Sequence, residues 1–171
     1  MTQVVDPPAL LTLQSKTNGA HVVPGAPRIP APLPGAMRLF HALGHAVLAE
    51  VSLKTGHRVD ILTLDPSGAI TIVEVKSGLP DFRSDNKWRV YLEWCDRFYF
   101  AVGPEFPRDV LPADTGLIIS DRHDGLILRE SVCSPVAPAR RKRLTLRFAH
   151  LAASRLMGCS MLGHGMVPME F

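Results

Sequence analysis

The chain has 171 residues, 46% hydrophobic and 20% charged, with a formal net charge of +3 at pH 7. That length and apolar content suit one domain with a real core and exclude a wholly disordered chain. No apolar run approaches the roughly 18–20 residues that span a bilayer, and the start Met1-Thr2-Gln3-Val4-Val5-Asp6 lacks the basic-then-apolar order of a secretory signal, so the expected location is the cytoplasm.

Residues 1–35 hold seven of the fifteen prolines and almost no charge. Proline at that density prevents continuous helix or central strand, which predicts a flexible arm suited to presenting an extended peptide to a partner protein. From Ala36 the pattern changes: Leu39, Leu43, Ala46, Glu50 and Leu53 recur at steps of four and three, predicting a helix that Pro34 opens and Gly56 stops. Two strands follow, His57–Leu64 and Ala69–Lys76, joined by the turn Asp65-Pro66-Ser67-Gly68. In the second, Ile70, Ile72, Glu74 and Lys76 share one face and Thr71, Val73 and Val75 the other; both faces are largely apolar, which predicts a central strand.

A second helix, capped by Asp81 or Ser84, is expected to run to about Trp94 with Trp88, Tyr91, Leu92 and Cys95 on its buried side. Arg97–Val102 reads as a strand, residues 104–112 as a connection, and Gly116–Ser120 and Gly125–Arg129 as a strand pair around Asp121-Arg122-His123-Asp124. Residues 140–157 read as a last helix. The order predicts one α/β domain with a mixed sheet over residues 36–157, followed by a tail at 158–171. The two tryptophans and Cys95 are expected in the core.

The chemistry concentrates in the hairpin. Asp60 lies in its first strand, and Glu74 and Lys76 leave the same face of its second, so an in-register hairpin brings all three together. Two carboxylates on adjacent strands beside an ammonium suit a hard divalent cation, Mg2+ or Mn2+, and the Val75 carbonyl can add a ligand. Such a cation with a lysine to offset charge on a phosphate implies phosphodiester hydrolysis. Glu50 occupies an otherwise apolar stripe, where a carboxylate must be either metal-bound or paired, with Lys54 or Arg58.

Glu50, Asp60 and Glu74-Val75-Lys76 together resemble the PD-(D/E)xK nuclease superfamily. The longer run Val73-Glu74-Val75-Lys76-Ser77-Gly78, Asp81-Phe82-Arg83-Ser84-Asp85-Asn86-Lys87-Trp88, Tyr91 and residues 95–102 resembles the bacterial MmcB-like DNA repair family of that superfamily, over roughly residues 36–157. The resemblance implies a restriction-endonuclease-like αβββαβ core and a metal-dependent DNA endonuclease acting in repair. Asp60 and Glu74 match its metal ligands, Lys76 its catalytic lysine, and Glu50 a helix carboxylate found in a subset of it. Val59 stands where the superfamily often has proline. The reading supplies two strands before the lysine where that core has three in a row, which makes Arg97–Val102 the third unless an element boundary lies elsewhere. In the superfamily the helix after the lysine borders the active site, so Arg83, Lys87 and Tyr91 are DNA-binding candidates, with a solvated helix end as the alternative. The alternative at the level of function is a DNA-binding adaptor that recruits repair factors without cutting, the proline-rich arm at 1–35 presenting an extended peptide to a repair-protein partner.

His41 and His45 stand four apart in the first expected helix, but with no third ligand nearby they read as a packed or exposed pair. Cys95, Cys133 and Cys159 are too scattered for a disulfide framework or a CxxC zinc site. No GxGxxG, Walker or GxSxG motif is present. The net charge is an average of unlike parts: residues 1–138 carry −2 and residues 139–171 carry +5. Arg140, Arg141, Lys142, Arg143 and Arg147 open the last helix, where they are expected to contact DNA phosphates in a nucleoid-associated protein, or else to form a solvated face.

Overall fold

The computed structural model describes residues 30–161. Its centre is a six-stranded sheet whose strands stand side by side in chain order: β1 (Ala46–Ser52), β2 (Arg58–Leu64), β3 (Ile70–Lys76), β4 (Arg97–Val102), β5 (Gly116–Ser120) and β6 (Gly125–Arg129). β2 runs antiparallel to both β1 and β3, β4 and β5 continue parallel to β3, and β6 returns antiparallel. Helix α1 (Pro32–Ala42) covers one face, where Ala36 and Phe40 pack on Ile61, Val73, Tyr99 and Ile118. The other face carries α2 (Leu79–Ser84), α3 (Trp88–Tyr91) and α4 (Pro138–Met161), with Trp88, Tyr91, Leu144 and Phe148 on Leu62, Ile70, Ile72, Phe98 and Phe100. All seven residues of β3 are buried, as its two apolar faces require of a central strand. The result is an α/β mixed sheet between helices, and α1-β1-β2-β3-α2-β4 is the αβββαβ order of a restriction-endonuclease-like core.

The first expected helix is two elements. It begins at Pro32, inside the expected arm, because prolines in a first turn lack only N–H groups that have no intrahelical partner. It ends at Ala42, where Gly44 adopts φ +83°, its N–H donates to His41 O, and His45 N–H reaches back to Phe40 O at 3.0 Å. That paired closure is a Schellman end, backed by the His45 ring edge-on to Phe40 at 5.2 Å. The following residues pair with β2 from Ala46↔Leu64 to Ser52↔Arg58. Helical spacing at Ala46, Glu50 and Leu53 was therefore overridden by cross-strand pairing, and Leu43, expected on the buried stripe, is exposed. β1, rather than Arg97–Val102, supplies the third consecutive core strand. His45 thus lies outside the helix, with Nδ1 3.0 Å from Thr63 Oγ1, so the two histidines do not share a helical face.

The hairpin turn is as expected: Asp65 accepts from Ser67 Oγ and Ala69 N, and Gly68 takes φ +85°. The second expected helix is broken. α2 ends at Ser84, Asp85 turns extended, and α3 resumes at Trp88, passing into a single 3-10 turn at Leu92–Trp94. Asp81 and Ser84 are not its caps; Gly78 precedes the first turn, and Asp81 reaches back to accept from the Ser77 N–H and hydroxyl. Trp88, Tyr91 and Cys95 are buried as expected, Leu92 is exposed, and Trp94 is half-buried beneath Arg140. Residues 1–29 of the expected arm and 162–171 of the tail lie outside the described residues.

Candidate functional site

The β2–β3 ladder runs from Leu64↔Ile70 to Ile61↔Val73, and one step further Asp60 comes opposite Glu74. There the backbone ladder stops and a side chain takes its place: Asp60 Oδ2 accepts the Val75 N–H at 2.8 Å. β3 runs on alongside β4, so Glu74 and Lys76 project onto the α2–α3 side beside Phe100 and Val102. Lys76 Nζ lies 3.5 Å from Glu74 Oε1 and 2.5 Å from Asp85 Oδ2, while Asp85 Oδ1 accepts the Lys87 N–H at 2.7 Å. The break between α2 and α3 is thus the turn that delivers Asp85 to the lysine.

These groups line a cleft of about 600 Å³ together with Gly56, His57, Arg58 and Tyr91, and the Tyr91 ring stands edge-on to His57 at 6.3 Å. The floor is nearly dry: Glu74 is 6% exposed and Lys76 3%. Burial, then the facing Asp60 charge, pushes the Glu74 carboxyl up to about 8. Burial also raises Asp60, against the pull of the Val75 N–H and Lys76. Burial disfavours the Lys76 charge, but the bond to Asp85 and the nearby Glu74 outweigh it and hold the lysine above its ordinary value. Tyr91 is raised to about 12 by burial, and its hydroxyl donates to Arg58 O at 3.3 Å.

Glu74 Oε2 is buried without a hydrogen-bond partner among the described residues. An orphaned carboxylate oxygen facing a second raised carboxylate is the environment that a divalent cation relieves. No group of three or more His, Cys, Asp or Glu forms a closed metal cage among the described residues, so Asp60 and Glu74, with the Val75 carbonyl, would leave much of the coordination shell to water, as suits Mg2+.

The other expected residues are distributed differently. Glu50 stands on a strand, not a helix, opposite Asp60 in the β1–β2 register, with a left-handed φ of +55°. Its carboxylate is exposed and pairs with Arg58 at 2.7 Å, the ion-pair alternative. Lys87 and Tyr91 line the cleft, whereas Arg83 is exposed outside it. The basic start of α4 sits at the other end of the sheet. Arg141 makes a two-pronged contact with Asp96, at 2.7 and 2.5 Å, and donates to Gly68 O, beside the first residues of β3 and β4. Arg140 donates to the Glu93 carbonyl and lies over the Trp94 ring. Those two arginines are engaged within the fold, while Lys142, Arg143 and Arg147 are exposed. Sequence reasoning missed Asp85 as the lysine's partner; the turn-forming Asp85-Asn86 inside an expected helix was the available signal.

A family model for DNA repair protein MmcB-like matches residues 32–162. The chain is also similar to a solved structure described as a protein of unknown function from Silicibacter pomeroyi, with 42% identity and a TM-score of 0.75 over 82% of this chain and 99% of that one. No curated protein matches significantly. The match spans every element from α1 to α4, including the strands that carry Asp60, Glu74 and Lys76, and on that ground the chain belongs to the MmcB-like DNA repair family.

Proposed function

We propose that this member of a DNA repair family is a Mg2+- or Mn2+-dependent deoxyribonuclease that hydrolyses phosphodiester bonds in a repair intermediate. The observation that carries the reading is the facing pair Asp60 and Glu74, with an unpartnered Glu74 oxygen, beside a buried lysine on the floor of an open cleft. Asp60, Glu74 and the Val75 carbonyl would hold the cation, which supplies Lewis-acid polarisation of a phosphoryl oxygen and a more acidic water. The Val75 N–H fixes the Asp60 carboxylate, and Asp85 keeps Lys76 charged and aimed along the floor, where it faces negative charge developing on a phosphate. Glu74, raised to about 8 in the metal-free cleft, would hold the cation in its ionised form. Placement at the nucleoid belongs to the same reading; no described helix is long and apolar enough to cross a membrane.

Purified protein with Mg2+ or Mn2+ is expected to nick one of a panel of branched, flapped and single-stranded DNAs, and Asp60→Ala or Lys76→Ala to abolish it. Metal-supported cleavage that survives both substitutions overturns the assignment. A second reading, a DNA-binding adaptor that does not cut, draws on Lys76 being committed to Asp85 at 2.5 Å. Calorimetric titrations with Mg2+ and with DNA separate the two, because an adaptor binds DNA without metal-linked chemistry.

A further inference from the structure

The basic start of α4 and the cleft lie at opposite ends of the sheet. Arg141 reaches Gly68 and Asp96, at the entry to β3 and β4, whereas Glu74 and Lys76 lie where β3 ends. β3 alone spans about 20 Å. A DNA strand seated on the acidic floor therefore needs its phosphate contacts elsewhere. The cleft mouth carries them. On one side the β1–β2 turn presents Lys54, His57 and Arg58, all exposed or half-exposed, and His57 and Arg58 line the cleft. Lys87, from the break between α2 and α3, lines the same cleft, exposed and anchored through its backbone to Asp85. A guanidinium from the far end of α4 arrives at the same corner: Arg155 donates to the Glu50 carbonyl at 3.2 Å.

From this placement, and resting on the nuclease reading of the cleft, we infer that the β1–β2 turn is a DNA-contacting wall, with Arg58 and Lys54 gripping phosphates beside the reacting position and Lys87, on the same cleft, gripping a further one. The charge layout fits a polyanion that crosses a cation-binding site: the cleft is lined by Asp60, Glu74, Asp81 and Asp85, and by the exposed cations Arg58 and Lys87. Among the described residues Arg58 is ion-paired only with Glu50, in a pair whose side chains are 58% and 53% exposed. Such a pair contributes little net stability, so a phosphate can exchange for Glu50 without cost to the fold. Tyr91 fixes the wall's position by donating to the Arg58 carbonyl, a backbone contact that substitution of the Arg58 side chain leaves in place.

The test is fluorescence anisotropy with a labelled single-stranded oligonucleotide and no divalent cation, at several salt concentrations. Lys54→Gln/Arg58→Gln and, separately, Lys87→Gln are each expected to weaken binding about tenfold at low salt. The slope of log affinity against log salt is expected to fall by about 0.7 for each cation removed. All these side chains are solvent-facing, and unchanged thermal melts would show the fold kept. Wild-type affinity and slope in both variants, no salt-dependent binding by the wild type, or a slope carried wholly by Lys142, Arg143 and Arg147 overturns the inference. Because the measurement needs no cleavage, the two readings fail separately. Binding that depends on the turn in a protein that never cuts retains the wall and removes the nuclease; cleavage indifferent to the turn does the reverse.

Discussion

Glu74 is the residue whose chemistry can be read without a substrate. Its carboxyl is raised to about 8 in the fold, first by burial and then by Asp60, against about 4.5 in the unfolded chain. Between those values the folded state binds more protons than the unfolded one, so its contribution to stability is present below pH 4.5 and lost as pH rises towards 8. Glu74→Gln, neutral at every pH, is therefore expected to raise the melting temperature at pH 8 and to change it little at pH 4.5. Thermal melts across that range check it. A bound cation favours the ionised pair, so Mg2+ is expected to stabilise the wild type increasingly with pH, an effect that EDTA reverses and Glu74→Gln weakens. Glu50 is read through its backbone instead. Its left-handed φ costs about 1 kcal/mol relative to ordinary strand backbone. Glu50→Gly is accordingly expected to leave equilibrium stability in urea near that of the wild type despite the lost ion pair.

At the scale of elements, the hairpin was legible because its signals agree: turn chemistry at Asp65–Gly68, β-branched runs on both sides, and a register that brings Asp60 to Glu74. The first helix was not, because Leu39, Leu43, Ala46, Glu50 and Leu53 satisfy helical spacing while β1 is held by pairing to β2, which one segment's periodicity does not contain. Gly44 was the local sign of the boundary. Gly44→Ala forces a Cβ into the left-handed region and is expected to cost about 1 kcal/mol in urea unfolding. The basic cluster of α4 was visible as charge, but its spatial address depends on Asp96. That carboxylate, 4% exposed, accepts from the backbone of Ile70 and Val136 and from Arg141. Burial opposes its charge, and the Arg141 bond with the two N–H groups overcomes this and holds it below the usual range. The tie is therefore fully present above the unfolded value near 4 and fades as pH falls through the lower folded value. Arg141→Ala leaves a buried carboxylate short of its cation and is expected to cost about 3 kcal/mol at neutral pH, read by chemical denaturation.

Across the whole molecule, α4 is a strut. Its 24 residues, about 36 Å long, start against Gly68 and Asp96 and carry Arg155 to Glu50 at the cleft end. One end of the sheet is thus closed by a carboxylate–guanidinium knot, and the other is left open with unbalanced carboxylates on its floor. The sheet between them is the part that the sequence announced, through the apolar faces of β3; the polar ends depended on which segments meet, and that is a property of topology. Because the knot and the cleft share no side chain, damage to them separates. On the nuclease reading, substitutions at Arg141 or Asp96 are expected to lower the amount of folded protein while leaving cleavage per folded molecule unchanged. Asp60→Asn, which keeps an acceptor for the Val75 N–H, is expected to do the reverse, so a variant of this chain can be sorted by comparing its yield with the cleavage it supports.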